Sequence, residues 1–158
     1  MKTTKKYGKK ADSALMLWVK LARAFSVFQK ATIKDIETYG LTQAQFGALE
    51  CLGHLGAMTI GQLCKKNLVS GGNMTVVVDN LEKQELVERL HSKEDRRAIV
   101  VQLTPKGKKL FADIFPKNAK YVSAMPTALN EREQKELSRL LKKLGLSLQE
   151  PSCPVQRN

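Results

Sequence analysis

Residue types able to do covalent or metal chemistry are few and scattered in this 158-residue sequence: two histidines, His54 and His91, and three cysteines, Cys51, Cys64 and Cys153. The histidines fall in separate segments, and no Ser/His/Asp set, Gly-rich phosphate loop or cluster of ligand types accompanies either. An odd cysteine count with no CxxC or Cys/His spacing fits neither a disulfide framework nor a zinc site. No catalytic residue, metal or cofactor is therefore expected, and the chain does not read as an enzyme. A redox alternative remains open. Cys64 precedes Lys65 and Lys66, whose charges lower the pKa of an exposed thiol. The other reading of Cys64, and of Cys51, is that of small buried hydrophobes.

The chemistry in which the sequence is rich is anion recognition. Lys and Arg total 27 against 15 Asp and Glu, so the formal net charge is 27 − 15 = +12. A small domain that basic is usually held beside a polyanion, most often nucleic acid. Its lysines are spread along the chain rather than gathered on a membrane anchor, and no apolar run reaches the length of a bilayer span. The charged N-terminus lacks the apolar core of a signal peptide, so a cytoplasmic protein with reduced thiols is expected.

A second chemical feature lies in residues 70–83. Met74, Val77, Val78 and Leu81 recur at i, i+3, i+4 and i+7 and define an inward helix face. The opposite face offers Gly71, Gly72, Thr75, Val76, Asp79 and Asn80, with Asn73 at its edge. Lys and Glu would be usual there on a solvated helix. Small residues instead permit close approach to a groove, Asn and Thr bond base edges, and Val can meet a thymine methyl.

These residues need elements to position them. Residues 1–10 form a basic arm with five lysines. Residues 11–39 form a long helix with two apolar stripes, one of Leu15, Trp18, Ala22 and Phe25 and one of Leu17, Leu21, Ala24 and Phe28, ended by Gly40. Three helix starts then share one signature, at Thr42 with Gln45, Thr59 with Gln62, and Ser70 with Asn73, the first two being capping boxes. Two short helices joined by a tight turn and preceded by another give a helix-turn-helix. Strands over residues 86–90 and 98–103 flank a charged tip and form a hairpin. Thr104 and Pro105 start a helix expected to reach about residue 125, with a kink or break at Pro116. Asn130 and Glu133 open the last helix, which carries Leu137, Leu140, Leu141 and Leu144 and is closed by Gly145, leaving residues 146–158 as a frayed tail.

The segments "LTQAQFGALECL" and "LVSGGNMTVVVDNLEKQELVERLHSKEDRRAIVVQLTPKGKKL" resemble the MarR family of transcription regulators over residues 11–145. The combination of "NLEK", "LVER", "DRRA" and "LTPKG" at this spacing carries the likeness. The resemblance implies a mainly α fold with a small β-hairpin wing: a winged helix-turn-helix in an intertwined homodimer. Residues 41–103 would be the DNA-binding region, and residues 11–40 and 104–145 the dimerisation region. The reading helix falls on residues 70–83, the wing arginine that enters the minor groove on Arg97, and the aspartate that orients it on Asp95. Lys65, Lys66, Lys93 and Arg96 are the expected phosphate contacts. The sequence departs from the family in two places. Glu85 stands where a glycine often caps the reading helix, and Val76 and Asn80 stand where some members have arginine.

The resemblance further implies a small aromatic or phenolic effector that releases DNA. Its pocket would draw on Trp18, Phe25, Phe46, His54, Phe111 and Phe115, although aromatic stripes also fill cores. The expected partners are thus a pseudo-palindromic duplex, a second copy and such an effector, in a ligand-responsive repressor. A nonspecific architectural DNA binder and a thiol-sensing regulator are the alternatives.

Overall fold

The computed structural model describes residues 6–67, 71–91 and 99–149. Among the described residues, six helices and three short strands follow in the order α1 (Lys9–Glu37), α2 (Gln43–Leu55), β1 (Met58–Thr59), α3 (Ile60–Asn67), α4 (Gly71–Lys83), β2 (Val87–His91), β3 (Ile99–Leu103), α5 (Pro105–Ser123) and α6 (Glu131–Gln149). The fold is mainly helical with a small antiparallel sheet. Two compact units are present, one ending at Tyr121 and one starting at Val122.

Local capping chemistry sets most of the helix starts. Thr42 accepts the Gln45 backbone N–H while the Gln45 side chain accepts that of Thr42. Thr59 and Gln62 form the same reciprocal pair, and so do Asn130 and Glu133 in the second unit. Thr104 caps Gly107 N–H at 3.0 Å, with Pro105 as the first helical residue. Each reciprocal pair satisfies two of the donors that a helix start leaves unpaired. The third expected cap, at Ser70, lies outside the described residues.

The core sits where α2, α3 and α4 meet the sheet. Leu49, Leu63, Met74, Val78, Leu81, Val87 and Val101 are its largest fully buried side chains. The α4 members have the i, i+4, i+7 spacing that places them on one stripe. In the sheet β3 is central: β2 pairs antiparallel with it from Val87↔Leu103 to His91↔Ile99, and β1 adds Met58↔Val101 and Thr59↔Val100. The hairpin was expected and the third strand was not, because two residues carry no readable period.

Three expectations are corrected. Helix α1 opens at Lys9, inside the expected arm, and ends at Glu37, three residues before Gly40 adopts φ 73°. Of the kink or break expected at Pro116, the break does not occur, and helix α5 runs through the proline. The carbonyl that Pro116 leaves without an N–H partner is that of Ala112, and both residues are exposed, so water can satisfy it. Helix α6 runs through Gly145 to Gln149, and Ser147 Oγ donates to Leu144 O within its last turn. The stripe of Leu137, Leu141, Leu144 and Leu148 continues across the glycine, which weakens a helix interior by only about 1 kcal/mol relative to Ala.

Within the first unit, α1 is tied to α5 by a polar contact. Asn118, buried on α5, donates to Asp35 Oδ2 at 2.8 Å, and Tyr39 O–H donates to the same oxygen at 3.0 Å. The Tyr39 ring stacks on Phe46 at 6.4 Å. Burial, reinforced by the bond to Asp35 and its charge, pushes the Tyr39 phenol up to about 12. A phenol with a raised folded-state pKa stabilises the fold below the unfolded value of about 10. That contribution is lost as pH rises through the folded value. Stability of the wild type should therefore fall between pH 10 and about 12 more steeply than that of Tyr39→Phe, as measured by denaturant midpoints across that window. Parallel curves would rule out a role for the phenol.

Candidate nucleic-acid interface

Helix α4 presents the expected two faces. Met74, Val78 and Leu81 are buried, whereas Gly72, Asn73, Thr75, Val76 and Asn80 are exposed. Gly71 begins the helix. At about 100° per residue, Asn73, Val76 and Asn80 share one stripe, with Val76 opposite the core contacts and Asn73 at the edge of the outer face.

Asp79, grouped with that outer face from the sequence, has a different role. Arg89 of β2 bonds Asp79 Oδ1 at 2.5 Å and also grips Glu82. Its backbone N–H donates to Glu82 Oε1 at 3.3 Å. Burial opposes the guanidinium charge, but the bonds and charges of Asp79 and Glu82 outweigh it and hold the Arg89 pKa above its usual value. One arginine thus orders two carboxylates on α4 and fastens the helix to the base of the hairpin. Sequence reasoning placed Arg89 within a motif but gave it no partner, since contacts across 7 and 10 residues leave no periodic trace.

The turn after α4 is the site of the Glu85 departure. Glu85 has φ 59°, the left-handed value usual for glycine. Leu86 N–H reaches Leu81 O at 2.9 Å, so the chain closes as a helix C-cap despite the side chain. Glu85 is ion-paired with Lys106, but both side chains are well exposed and the pair adds little. Relief of left-handed strain, about 1–2 kcal/mol, set against the extra chain entropy of glycine predicts that Glu85→Gly stabilises by about 0.5 kcal/mol. Urea titration checks the sign, and a loss of stability would mean that the carboxylate contributes more than its exposure indicates.

Lys65 and Lys66 are exposed in the last turn of α3, on the approach to α4. Ser70, Lys93, Asp95, Arg96 and Arg97 lie outside the described residues. Of the aromatic set, His54, Phe111 and Phe115 come together: the His54 ring stands edge-on to Phe111 at 5.1 Å and to Phe115 at 4.3 Å, and the two phenylalanines stack at 5.2 Å. Phe46 is buried in the core beside Tyr39. Trp18 and Phe25 stand apart on α1, 65% and 61% exposed.

Both described thiols are half-buried against the core. Burial, helped by the Glu50 charge, pushes the Cys51 thiol up, although Asn67 donates to its sulfur at 3.6 Å. A raised pKa depletes the reactive thiolate. Among the described residues no group of three His, Cys, Asp or Glu is placed to hold a metal ion, and no helix is long and apolar enough to cross a membrane.

The profile of the MarR family matches residues 41–99. The HTH-type transcriptional regulator MhqR of Bacillus subtilis is 37% identical over 136 residues, covering 86% of this chain and 94% of the relative. Among solved structures, Bordetella bronchiseptica BpsR, whose DNA binding is regulated by 6-hydroxynicotinic acid, is 26% identical with a TM-score of 0.73, covering 82% of this chain and 98% of that one. Sco3205 of Streptomyces coelicolor, solved in complex with DNA, shares the fold at 20% identity and a TM-score of 0.80, covering 94% and 95%.

Proposed function

This chain belongs to the MarR family of DNA-binding transcriptional regulators, and from that premise we propose that it acts as a cytoplasmic homodimeric repressor whose two α4 helices read the halves of a pseudo-palindrome. The observation that carries the reading is the outer face of α4, which is exposed, free of arginine and built of Gly, Asn, Thr and Val. Such a face suits close approach to base edges better than it suits bulk water. Residues 41–103 form the DNA-binding region, with Lys65, Lys66, Lys93 and Arg96 on phosphates. Arg97 enters the minor groove, drawn by its negative potential and oriented by Asp95.

Residues 11–40 and 104–145 supply the dimer contacts. Two features favour a second copy as what covers these helices. Leu15, Leu17, Trp18, Phe25 and Phe28 of α1 are exposed, and the leucines of α6 recur at the 4-3-4 spacing of a helix-packing seam. The effector is a small aromatic or phenolic acid received beside His54, Phe111 and Phe115. The 6-hydroxynicotinic acid that regulates BpsR is of that class.

Selection of bound duplexes from a random library tests the regulator reading. An enriched pseudo-palindrome with half-sites about 10 bp apart is the expected result. Binding with a steep salt dependence but no enrichment would replace a regulator with an architectural protein. On the enriched duplex, Arg97→Ala should weaken binding by about 1–3 kcal/mol while the protein stays dimeric. An unchanged affinity would remove Arg97 from the interface.

A further inference from the structure

The stripe of Asn73, Val76 and Asn80 has a chemical character that narrows what α4 can read. Guanine is most often recognised by Arg or Lys donating to O6 and N7, and adenine by Asn or Gln bonded to N6 and N7. No arginine occurs within α4, and its single lysine, Lys83, is the last residue of the helix, beyond the N-terminal turns that usually reach base edges. The one guanidinium described beside this helix, that of Arg89, is engaged by Asp79 and Glu82. The same engagement holds those two carboxylates, which would otherwise favour the cytosine amino group.

What remains on the exposed face is one purely aliphatic side chain, Val76, flanked by the polar side chains of Asn73, Thr75 and Asn80. Val76 is 57% exposed, with its methyl groups on the crest of the helix and Asn73 one turn before it. Thymine is the only DNA base of the standard four with a methyl group in the major groove. Resting on the regulator reading above, we propose that Val76 is a specificity-determining residue that packs on the C5-methyl of a thymine in each half-site, while Asn73 reads an adjacent adenine. The Arg89 clamp supports this choice by pairing the Asp79 and Glu82 carboxylates with a guanidinium. Burying a methyl against Val76 lowers the free energy, whereas a guanine or cytosine edge there would lose water from its polar groups without a partner.

The test removes the methyl group from the DNA and leaves the protein intact. Each thymine of the enriched site is replaced in turn by deoxyuridine, which keeps all base-pair hydrogen bonds. One position per half-site should lower wild-type affinity about fourfold, the worth of one buried methyl. Val76→Ala should bind the thymine site more weakly and lose that sensitivity, while Val76→Thr, which keeps one methyl, should fall between them. Because Val76 is exposed, neither variant threatens the core. An enriched site whose affinity ignores deoxyuridine everywhere, or a sensitivity that survives in Val76→Ala, overturns the assignment and leaves the regulator reading standing. Guanine or cytosine at every read position does the same. Failure to enrich any sequence overturns both.

Discussion

Gly107→Ala should lose about 3 kcal/mol or more of folding stability, an effect at the upper end for overpacking. A Cβ at Gly107 would lie 1.9 Å from the carbonyl oxygen of Leu86, 2.9 Å from its carbonyl carbon and 3.3 Å from its Cα. All three are backbone atoms, so no side chain can rotate away. That segment of backbone is held from both sides. Leu86 N–H bonds Leu81 O at 2.9 Å, Leu86 O accepts Thr104 N–H at 3.2 Å, and the Leu86 side chain is buried in the core. To admit one methyl group, the start of α5 must back away from the turn between α4 and β2, giving up the Thr104 cap or the Leu86 packing. Gly61→Ala is the companion variant. Its Cβ would meet nothing closer than Thr59 Oγ1 at 3.9 Å, so it should be neutral or stabilise by up to about 1 kcal/mol. Urea unfolding of both at one protein concentration decides the matter. A loss below 1 kcal/mol for Gly107→Ala would mean that α5 is not seated rigidly on the α4–β2 turn.

The contrast between those two glycines marks where sequence reasoning stops. Both lie near helix starts, and nothing local distinguishes Gly107 in "LTPKG" from Gly61 in "TIGQL". Only the approach of Leu86, from 21 positions earlier in the chain, makes one indispensable. Features set by nearest neighbours along the chain were legible: the Thr42, Thr59, Thr104 and Asn130 caps, the inward stripe of α4 and the hairpin. The Glu85 turn went the other way: without the family glycine a different helix ending was expected, yet Glu85 takes the left-handed conformation and the usual cap closes. Long-range choices were not legible. Arg89 takes Asp79 out of the outer face of α4, β3 recruits a two-residue third strand, and Asn118 finds Asp35 across 83 residues. The aromatic set shows the same division. Its members were identifiable by type, but only tertiary packing could separate the His54, Phe111 and Phe115 group from the core residue Phe46 and the exposed Trp18 and Phe25.

That exposure leads to the second large effect. Phe25→Glu should raise the dimer dissociation constant about 100-fold or more and abolish tight binding to a two-half-site duplex. Phe25 is 61% exposed and lies near the middle of an apolar arc that includes Leu17, Leu21, Trp18 and Phe28. A helix in water has no reason to keep such an arc, and large exposed apolar patches mark interaction surfaces. If a second copy covers it, a carboxylate there must be desolvated without a partner, a penalty of about 2–5 kcal/mol. The control is Val27→Glu. Val27 is 71% exposed, but it follows Phe25 by two residues and therefore sits about 200° further round the helix. There it stands with Lys20 and Arg23, where a glutamate is at home. Sedimentation velocity across a dilution series should give a dimer for the wild type and Val27→Glu and a monomer for Phe25→Glu. If the monomer cannot hold its fold, the same variant will show a melting temperature that climbs with protein concentration, since association and folding are then one equilibrium. A stable, concentration-independent dimer of Phe25→Glu would exclude this face of α1 from the interface and leave the leucine seam of α6 as the surface that a second copy must cover.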